Sequence, residues 1–175
     1  MQPREEGEAA FVAYLERLTK PENRNGRAAL AALRRGLGRR PGEAAEMYPY
    51  LVPWTGNRSG RREEAFYLVA SLFASHPVPW HGEGAANFGA SMARVKGQEG
   101  GDGTQRRFAA LLSSHYDDLP EHLRHAVSLC ASKEVPVSWI RLLRDLPDWD
   151  DDRRRVQLNW AREFWKRVEE PAPPT

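Results

Sequence analysis

The sequence predicts an all-α protein, a helical bundle of about eight to nine helices compatible with two packed sub-bundles. Three observations predict it. No stretch alternates apolar and polar residues with period two over the length of a strand. Apolar residues instead recur at spacings of three and four in segment after segment. Capping residues and Pro or Gly breakers bracket those segments.

In chain order, residues 1–5 are expected to fray. A first helix over 6–19 places Phe11, Tyr14, Leu15 and Leu18 at helical spacing and stops before Pro21, because the residue before proline is pushed out of the α region. Asn25 is positioned to cap a second helix over 26–37, with Leu30, Leu33 and Leu37 as its stripe and Gly36 and Gly38 marking its end. A short helix over 43–48 leads into an apolar connector, 49–54, and a basic loop, 56–60. A strong helix over 61–75 carries Phe66, Val69, Leu72 and Phe73, and the run from His76 to His81, with its two prolines, breaks it. His76 and His81 are read as loop and capping residues.

A weaker helix over 87–96 precedes the glycine-rich stretch 97–103, the clearest flexible loop. Thr104 then caps a helix with Phe108, Leu111 and Leu112 inside. Another starts at Leu119 with Pro120 in its first turn and Leu123, Ala126, Val127 and Cys130 inside. Ser138 caps a third, with Trp139, Leu142, Leu143 and Leu146 inside. The expected organisation is an N-terminal helical sub-bundle over 1–96, the loop 97–103, a C-terminal helical bundle over 104–170 and a disordered tail over 171–175.

The longest helix signal spans 148–167. Asp148 to Asp152 suit the positive end of the helix dipole as caps and first-turn carboxylates. Val156, Trp160 and Phe164 share one flank; Leu158, Ala161 and Trp165 share another. A helix apolar around so much of its circumference is expected to be largely buried. Its remaining polar line, Arg155, Asn159, Arg162 and Lys166, is cationic and reads either as a solvated face or as a surface for a polyanion.

Composition narrows the function. The formal net charge is only +2, with 175 residues and six Trp for the core. Charge is segregated: ten basic residues from Lys20 to Arg62 face only Glu22, Glu43 and Glu46, while acids gather near residues 5–8 and 145–152. Lys occurs only at 20, 96, 133 and 166, and Arg is the better residue for bidentate phosphate contacts, although a GC-rich genome would give the same bias. A single cysteine, Cys130, excludes an intrachain disulfide framework and fits a reducing compartment. No signal-peptide core or bilayer-length apolar run is present, so the expectation is a cytoplasmic protein with no membrane contact.

No enzyme signature emerges. His115, His122 and His125 can be drawn with Asp117 and Asp118 as a metal site, and a metal-dependent helical hydrolase is one competing reading. Against it, nothing resembles HExxH, and these positions fit solvent-facing helix and turn residues. Cys130 sits on an apolar face as a structural thiol. The glycines of 97–103 lack the Lys-Ser/Thr ending of a phosphate loop. Neither cofactor nor metal is expected. Outward cations are the recurrent feature: Arg27 and Arg34 on the second helix, Arg106 and Arg107 on the Thr104 helix, Arg124 beyond Pro120, Lys133 in the following turn, and Arg141 and Arg144 on the Ser138 helix. If these faces converge, they make a basic groove that binds phosphates with little sequence preference.

An ordered set of short blocks runs from about residue 27 to 166. It includes Leu33-Arg34-Arg35-Gly36, the run from Phe66 to Pro77, Asn87-Phe88-Gly89, Arg106-Arg107-Phe108, Leu119-Pro120-Glu121-His122-Leu123-Arg124, Pro136-Val137-Ser138-Trp139, Leu142-Leu143-Arg144-Asp145-Leu146 and Trp160-Ala161-Arg162-Glu163-Phe164-Trp165. The set resembles the CasB family, the small subunit of the type I-E CRISPR surveillance complex, Cascade. The resemblance implies a non-enzymatic, all-helical subunit of antiviral defence. It would contact the backbone and large subunits and a second copy of itself, and help hold crRNA paired to target DNA and the displaced strand. By motif match, the resemblance carries nucleic-acid contact to Arg34, Arg107, Arg124, Arg144 and Arg162, and less directly to Arg27, Lys133, Arg141 and Lys166. A protein–protein scaffold with no nucleic-acid contact of its own is the alternative.

Overall fold

The computed structural model describes residues 3–81, 86–99 and 102–166, with the backbone alone for 3–6 and 99. Nine α-helices lie among the described residues: α1 (Pro3–Leu18), α2 (Gly26–Arg34), α3 (Tyr48–Thr55), α4 (Arg61–Ser75), α5 (Phe88–Glu99), α6 (Asp102–Ser113), α7 (Leu119–Ser132), α8 (Trp139–Asp145) and α9 (Arg155–Phe164). Short 3-10 turns occupy Ala45–Met47 and Leu146–Asp148. The only extended pairing among the described residues is an isolated bridge between Pro79 and Val137, closed by Trp80 N–H to Val137 O and Val137 N–H to Val78 O, each at 3.0 Å. The protein is all-α. Within the described residues no helix is long and apolar enough to cross a membrane.

α4 is the central element. Every residue from Ala65 to Ala74 is buried except Leu68, and α2, α3, α7 and α8 pack around it. Its polar members are satisfied internally: the hydroxyl of Ser71 donates to Leu68 O at 2.9 Å. His76, just beyond its end, is buried, with Nε2 2.7 Å from Val135 O. One contiguous cluster of buried apolar side chains runs from Phe11 to Phe164, with Trp139, Trp149 and Trp160 among its largest fully buried members.

Several elements depart from their sequence expectation. The apolar connector 49–54 is helical (α3): Pro49 falls in the first turn, where its missing N–H costs nothing, and only Pro53 interrupts the ladder. The second helix stops at Arg34, short of Leu37, and a Cβ on Gly36 would meet Met47 Sδ at 2.5 Å. Helices enter the expected glycine loop from both sides, α5 reaching Glu99 and α6 starting at Asp102; Gly100 and Gly101 lie outside the described residues, as do residues 1–2 and the tail 171–175. Thr104 is buried in the first turn of α6 rather than capping it.

The last helix begins at Arg155 rather than Asp148. Arg154 occupies its N-cap with φ +50°, in the left-handed region, and the preceding aspartates sit in turns. Asp151 still serves the helix start, taking Arg155 N–H at 3.4 Å and Arg155 Nε at 2.8 Å. Only one apolar flank of α9 is buried, Val156, Trp160 and Phe164 with Gln157 between them. Leu158 and Trp165 remain 50% and 42% exposed, so the expectation of burial on both flanks does not hold.

α9 packs most closely on α5. Gly89 makes this possible, because a Cβ there would stand 2.0 Å from Trp160 O. Phe88 meets the Trp160 ring at 5.2 Å, and Asn87 Nδ2 donates to Asn159 O at 3.0 Å.

Candidate nucleic-acid interface

The nine cations singled out in the sequence differ in what holds them. On α2, Arg34 donates from Nε to Ala74 O at 2.6 Å. That carbonyl belongs to the last turn of α4, where helix carbonyls lack intrahelical partners and carry partial negative charge, so Arg34 caps α4 from outside. Arg27 is exposed at the start of α2 and has no partner among the described residues. Next to it, the turn between α1 and α2 forms a shallow groove lined by Arg17, Lys20, Glu22, Asn23, Arg24 and Asn25. Arg27 therefore stands at a basic corner.

On α7, Arg124 is paired with Glu121, Nη2 to Oε1 at 2.7 Å, and lies 3.3 Å from His125 Nε2. The Arg124 hydrogen bond is the main cause holding the Glu121 carboxyl below its usual range, and Glu121 in turn raises the Arg124 guanidinium. Lys133 is half-buried at the C-cap of α7. The chain then turns through Glu134 at φ +53°, with Val135 N–H on Cys130 O at 2.9 Å and Glu134 N–H on Ala131 O at 3.2 Å, a Schellman-type ending.

On α8, Arg141 Nε reaches Asp145 Oδ1 at 3.0 Å, and Arg144 Nε reaches Glu8 Oε2 on α1 at 3.1 Å. Asp145 is buried and also accepts Trp160 Nε1 at 2.7 Å. Burial pushes its carboxyl upward, against the hydrogen bond from Trp160 and the charge of Arg141.

Arg162 Nη1 on α9 donates to Asn159 Oδ1 at 3.0 Å, and Arg155 is tied to Asp151. Lys166, just past the helix, is exposed and has no partner among the described residues, as is Arg107 on α6. The residues next to these last two in the chain, Phe108 and Trp165, meet at 5.8 Å. Phe108 also stacks on Phe164 at 4.2 Å. Lys96 Nζ lies 4.4 Å over the Phe164 ring and donates to Phe164 O at 3.0 Å.

Arg124 lies elsewhere, in a groove of about 680 Å³ between the 36–41 turn, α4 and the start of α7. Its lining mixes Leu37, Leu68 and Leu72 with Arg39, Arg40 and Arg124, and with Glu64, Asp117, Asp118 and Glu121. Tyr116, also in the lining, has its phenol pushed upward by burial and by Glu64, so it stays protonated. None of the other eight cations lines this groove.

Sequence reasoning missed a second class of cation. Arg58, Arg61, Arg94 and Lys96 lie over Phe66, Tyr116, Trp80 and Phe164 at 4.5, 4.6, 3.8 and 4.4 Å. For Arg61, Arg94 and Lys96 the ring is far away in the chain, so spacing carries no signal. The histidine cluster does not assemble: among the described residues no group of three His, Cys, Asp or Glu could hold a metal ion, and His125 lies beside Glu121 at 3.2 Å.

Comparison with known proteins agrees with this architecture. The family profile of CRISPR-associated protein Cse2 matches residues 29–165. A CRISPR-associated protein Cse2 from Thermus thermophilus is 35% identical over 159 residues, covering 89% of this chain and 88% of its own length. The crystal structure of CasB from Thermus thermophilus superposes with a TM-score of 0.77 at 32% identity, over 94% of this chain and 99% of that one. A chain of a CRISPR RNA-guided surveillance complex superposes with a TM-score of 0.74 at 27% identity, over 91% and 92% of the two chains. A helical chain of this length, matched from its second helix to its last, belongs to the CRISPR-associated Cse2 family, and its solved relatives named CasB resemble it in fold.

Proposed function

We propose that this chain is a non-enzymatic, cytoplasmic subunit of a Cascade-type surveillance complex. In that assembly it touches the backbone and large subunits and a second copy of itself, and it steadies crRNA–target pairing and the displaced strand through phosphate contacts. The observation that carries the reading is the likeness, over nine-tenths of the chain, to a chain of an RNA-guided surveillance complex. Such a complex delegates sequence reading to base pairing, so a small subunit needs cations without base-reading geometry. Exposed Arg27, Arg107 and Lys166, each without a partner among the described residues, have that character.

The test replaces those three together with Gln. Arg34 and Arg144 are poorer choices, because their loss also breaks the bonds to Ala74 and Glu8. Binding of a fluorescein-labelled single strand to the assembled complex is titrated across a range of NaCl. The variant is expected to bind more weakly, with a salt slope smaller by about 0.7 for each phosphate contact removed and unchanged helicity by circular dichroism. Unchanged affinity and slope would sink the assignment.

A second reading, a protein scaffold with no nucleic-acid contact of its own, is favoured by the mixed-charge groove around Arg124, which suits a protein better than a polyanion. Titrating the complex with and without this subunit separates the two, since equal affinities support the scaffold.

A further inference from the structure

Trp165 is an exposed indole in a protein that otherwise buries most of its large aromatic side chains, and its setting is built. It stands at the C-cap of α9, with its N–H on Ala161 O at 2.9 Å. Its ring makes a T-shaped contact with Phe164 at 4.7 Å and 80°, and meets Phe108 at 5.8 Å and 51°. Phe164 is itself held between the stacked Phe108 ring and the Lys96 ammonium. The indole is thus braced along one side by fully buried rings while 42% of the residue stays in solvent. Arg107 adjoins Phe108 and Lys166 adjoins Trp165, both exposed; the acids within five residues of these in the chain are Asp102, Glu163, Glu169 and Glu170, the last two outside the described residues.

An aromatic face flanked by cations is the combination that holds a single-stranded nucleic acid: a base stacks on the ring and its phosphates meet the charges, with little sequence preference. We propose that Trp165 is a stacking platform for one unpaired base of a single strand, with Arg107 and Lys166 at the phosphates on either side. This rests on the nucleic-acid reading above, which already includes an unpaired strand, and adds to it a base contact and the residue that makes it. A duplex keeps its bases stacked on one another and offers no free face to the indole. Leu158 lies on the same exposed flank of α9, 50% exposed, and has no π face to offer a base. It serves as the control for a protein partner lying along that flank.

The experiment measures binding of fluorescein-labelled oligo-dT to the full chain and to the assembled complex. Four variants are compared with the parent: Trp165→Ala, Trp165→Phe, Leu158→Ser, and Arg107→Gln with Lys166→Gln. Trp165→Ala is expected to weaken binding by about 10-fold with little change in salt slope, because stacking releases no counterions. Trp165→Phe should recover most of the affinity, and Leu158→Ser should bind as the parent does. The double Gln variant should lower the slope by about 1.4.

If the double Gln variant loses affinity while Trp165→Ala does not, the stacking proposal is overturned and the phosphate reading stands. If no variant differs from the parent, or the parent does not bind, both are overturned. If Trp165→Ala and Leu158→Ser leave oligo-dT binding intact but both fail to enter the complex, the flank belongs to a protein partner and the stacking proposal is again overturned.

Discussion

Asp145 receives two hydrogen bonds, from Trp160 Nε1 at 2.7 Å and Arg141 Nε at 3.0 Å, in a setting that nonetheless disfavours its charge. Burial is the larger effect and raises its pKa above the ordinary 3.8. An acid whose folded pKa is raised binds its proton more tightly in the folded state than in the unfolded one. Its contribution to stability is therefore largest below the ordinary value and is lost as pH rises through the folded one. Asp151 behaves oppositely: Arg155 lowers its pKa, and its contribution is present above the ordinary value and lost as pH falls.

Asp145→Asn keeps an acceptor for Trp160 and removes the titration. Urea denaturation of both proteins at a series of pH values should show the parent losing stability relative to the Asn variant as pH rises from about 4 toward neutrality. Parallel curves would mean that the folded carboxyl titrates normally. Residue roles of this kind were partly legible in the sequence. The spacing of Arg141 and Asp145, four apart on one helix, is compatible with a pair, although by sequence Arg141 reads as an outward cation. Nothing local announces that Trp160 completes it, or that Arg34 reaches a carbonyl forty residues away.

At the scale of elements, α5 carries two glycines with opposite consequences. A Cβ on Gly89 would stand 2.0 Å from Trp160 O and 2.7 Å from its carbonyl carbon, both backbone atoms of α9. Gly97, in the same helix, has nothing within 4 Å of an added Cβ. Gly89→Ala must therefore force α5 and α9 apart, at a cost of about 1–3 kcal/mol or more. Gly97→Ala only removes the backbone entropy penalty of a helical glycine, a gain of about 0.5–1 kcal/mol. Differential scanning calorimetry should show the first variant melting several degrees lower and the second slightly higher. A rise or no change for Gly89→Ala would contradict the close approach.

By sequence Gly97 belongs to a flexible loop, because a cluster of glycines is the strongest local breaker signal, whereas the packing that sustains α5 is tertiary. α3 was hidden in the same way by its two prolines, and the start of α9 by aspartates that look like caps. α4, whose bounds were read correctly, combines a basic N-terminal loop, a long apolar run and His76-Pro77 at its end, so local and tertiary signals agree there.

At the scale of the molecule, the stretches read as two sub-bundles, 1–96 and 104–170, interlock at several places. α9 lies on α5 through Phe88 and Trp160, and α8 lies on α4 through Phe73 and Trp139 at 5.6 Å. α8 is also tied to α1 by Arg144 and Glu8, and Val137 closes the bridge to Pro79. Polar groups cross as well: Ser91 Oγ donates to Pro136 O at 2.7 Å and Lys96 Nζ to Phe164 O at 3.0 Å. Cutting the chain between α5 and α6 would leave one fragment with Phe73 and Phe88 stripped of their ring partners Trp139 and Trp160, and the other with those two rings stripped of Phe73 and Phe88. Each fragment would then retain helix propensity without a closed core, and helices of this length are marginal in water without tertiary packing.

Fragments 1–99 and 102–175, expressed separately, should therefore show reduced helicity and no cooperative thermal transition. Mixed in equal amounts, they should recover a single concentration-dependent transition, because association restores the shared core. A cooperative transition in fragment 102–175 alone would show that the C-terminal helices form an independent domain, and the contacts of α9 with α5 and of α8 with α4 would then be an interface between domains rather than part of one core.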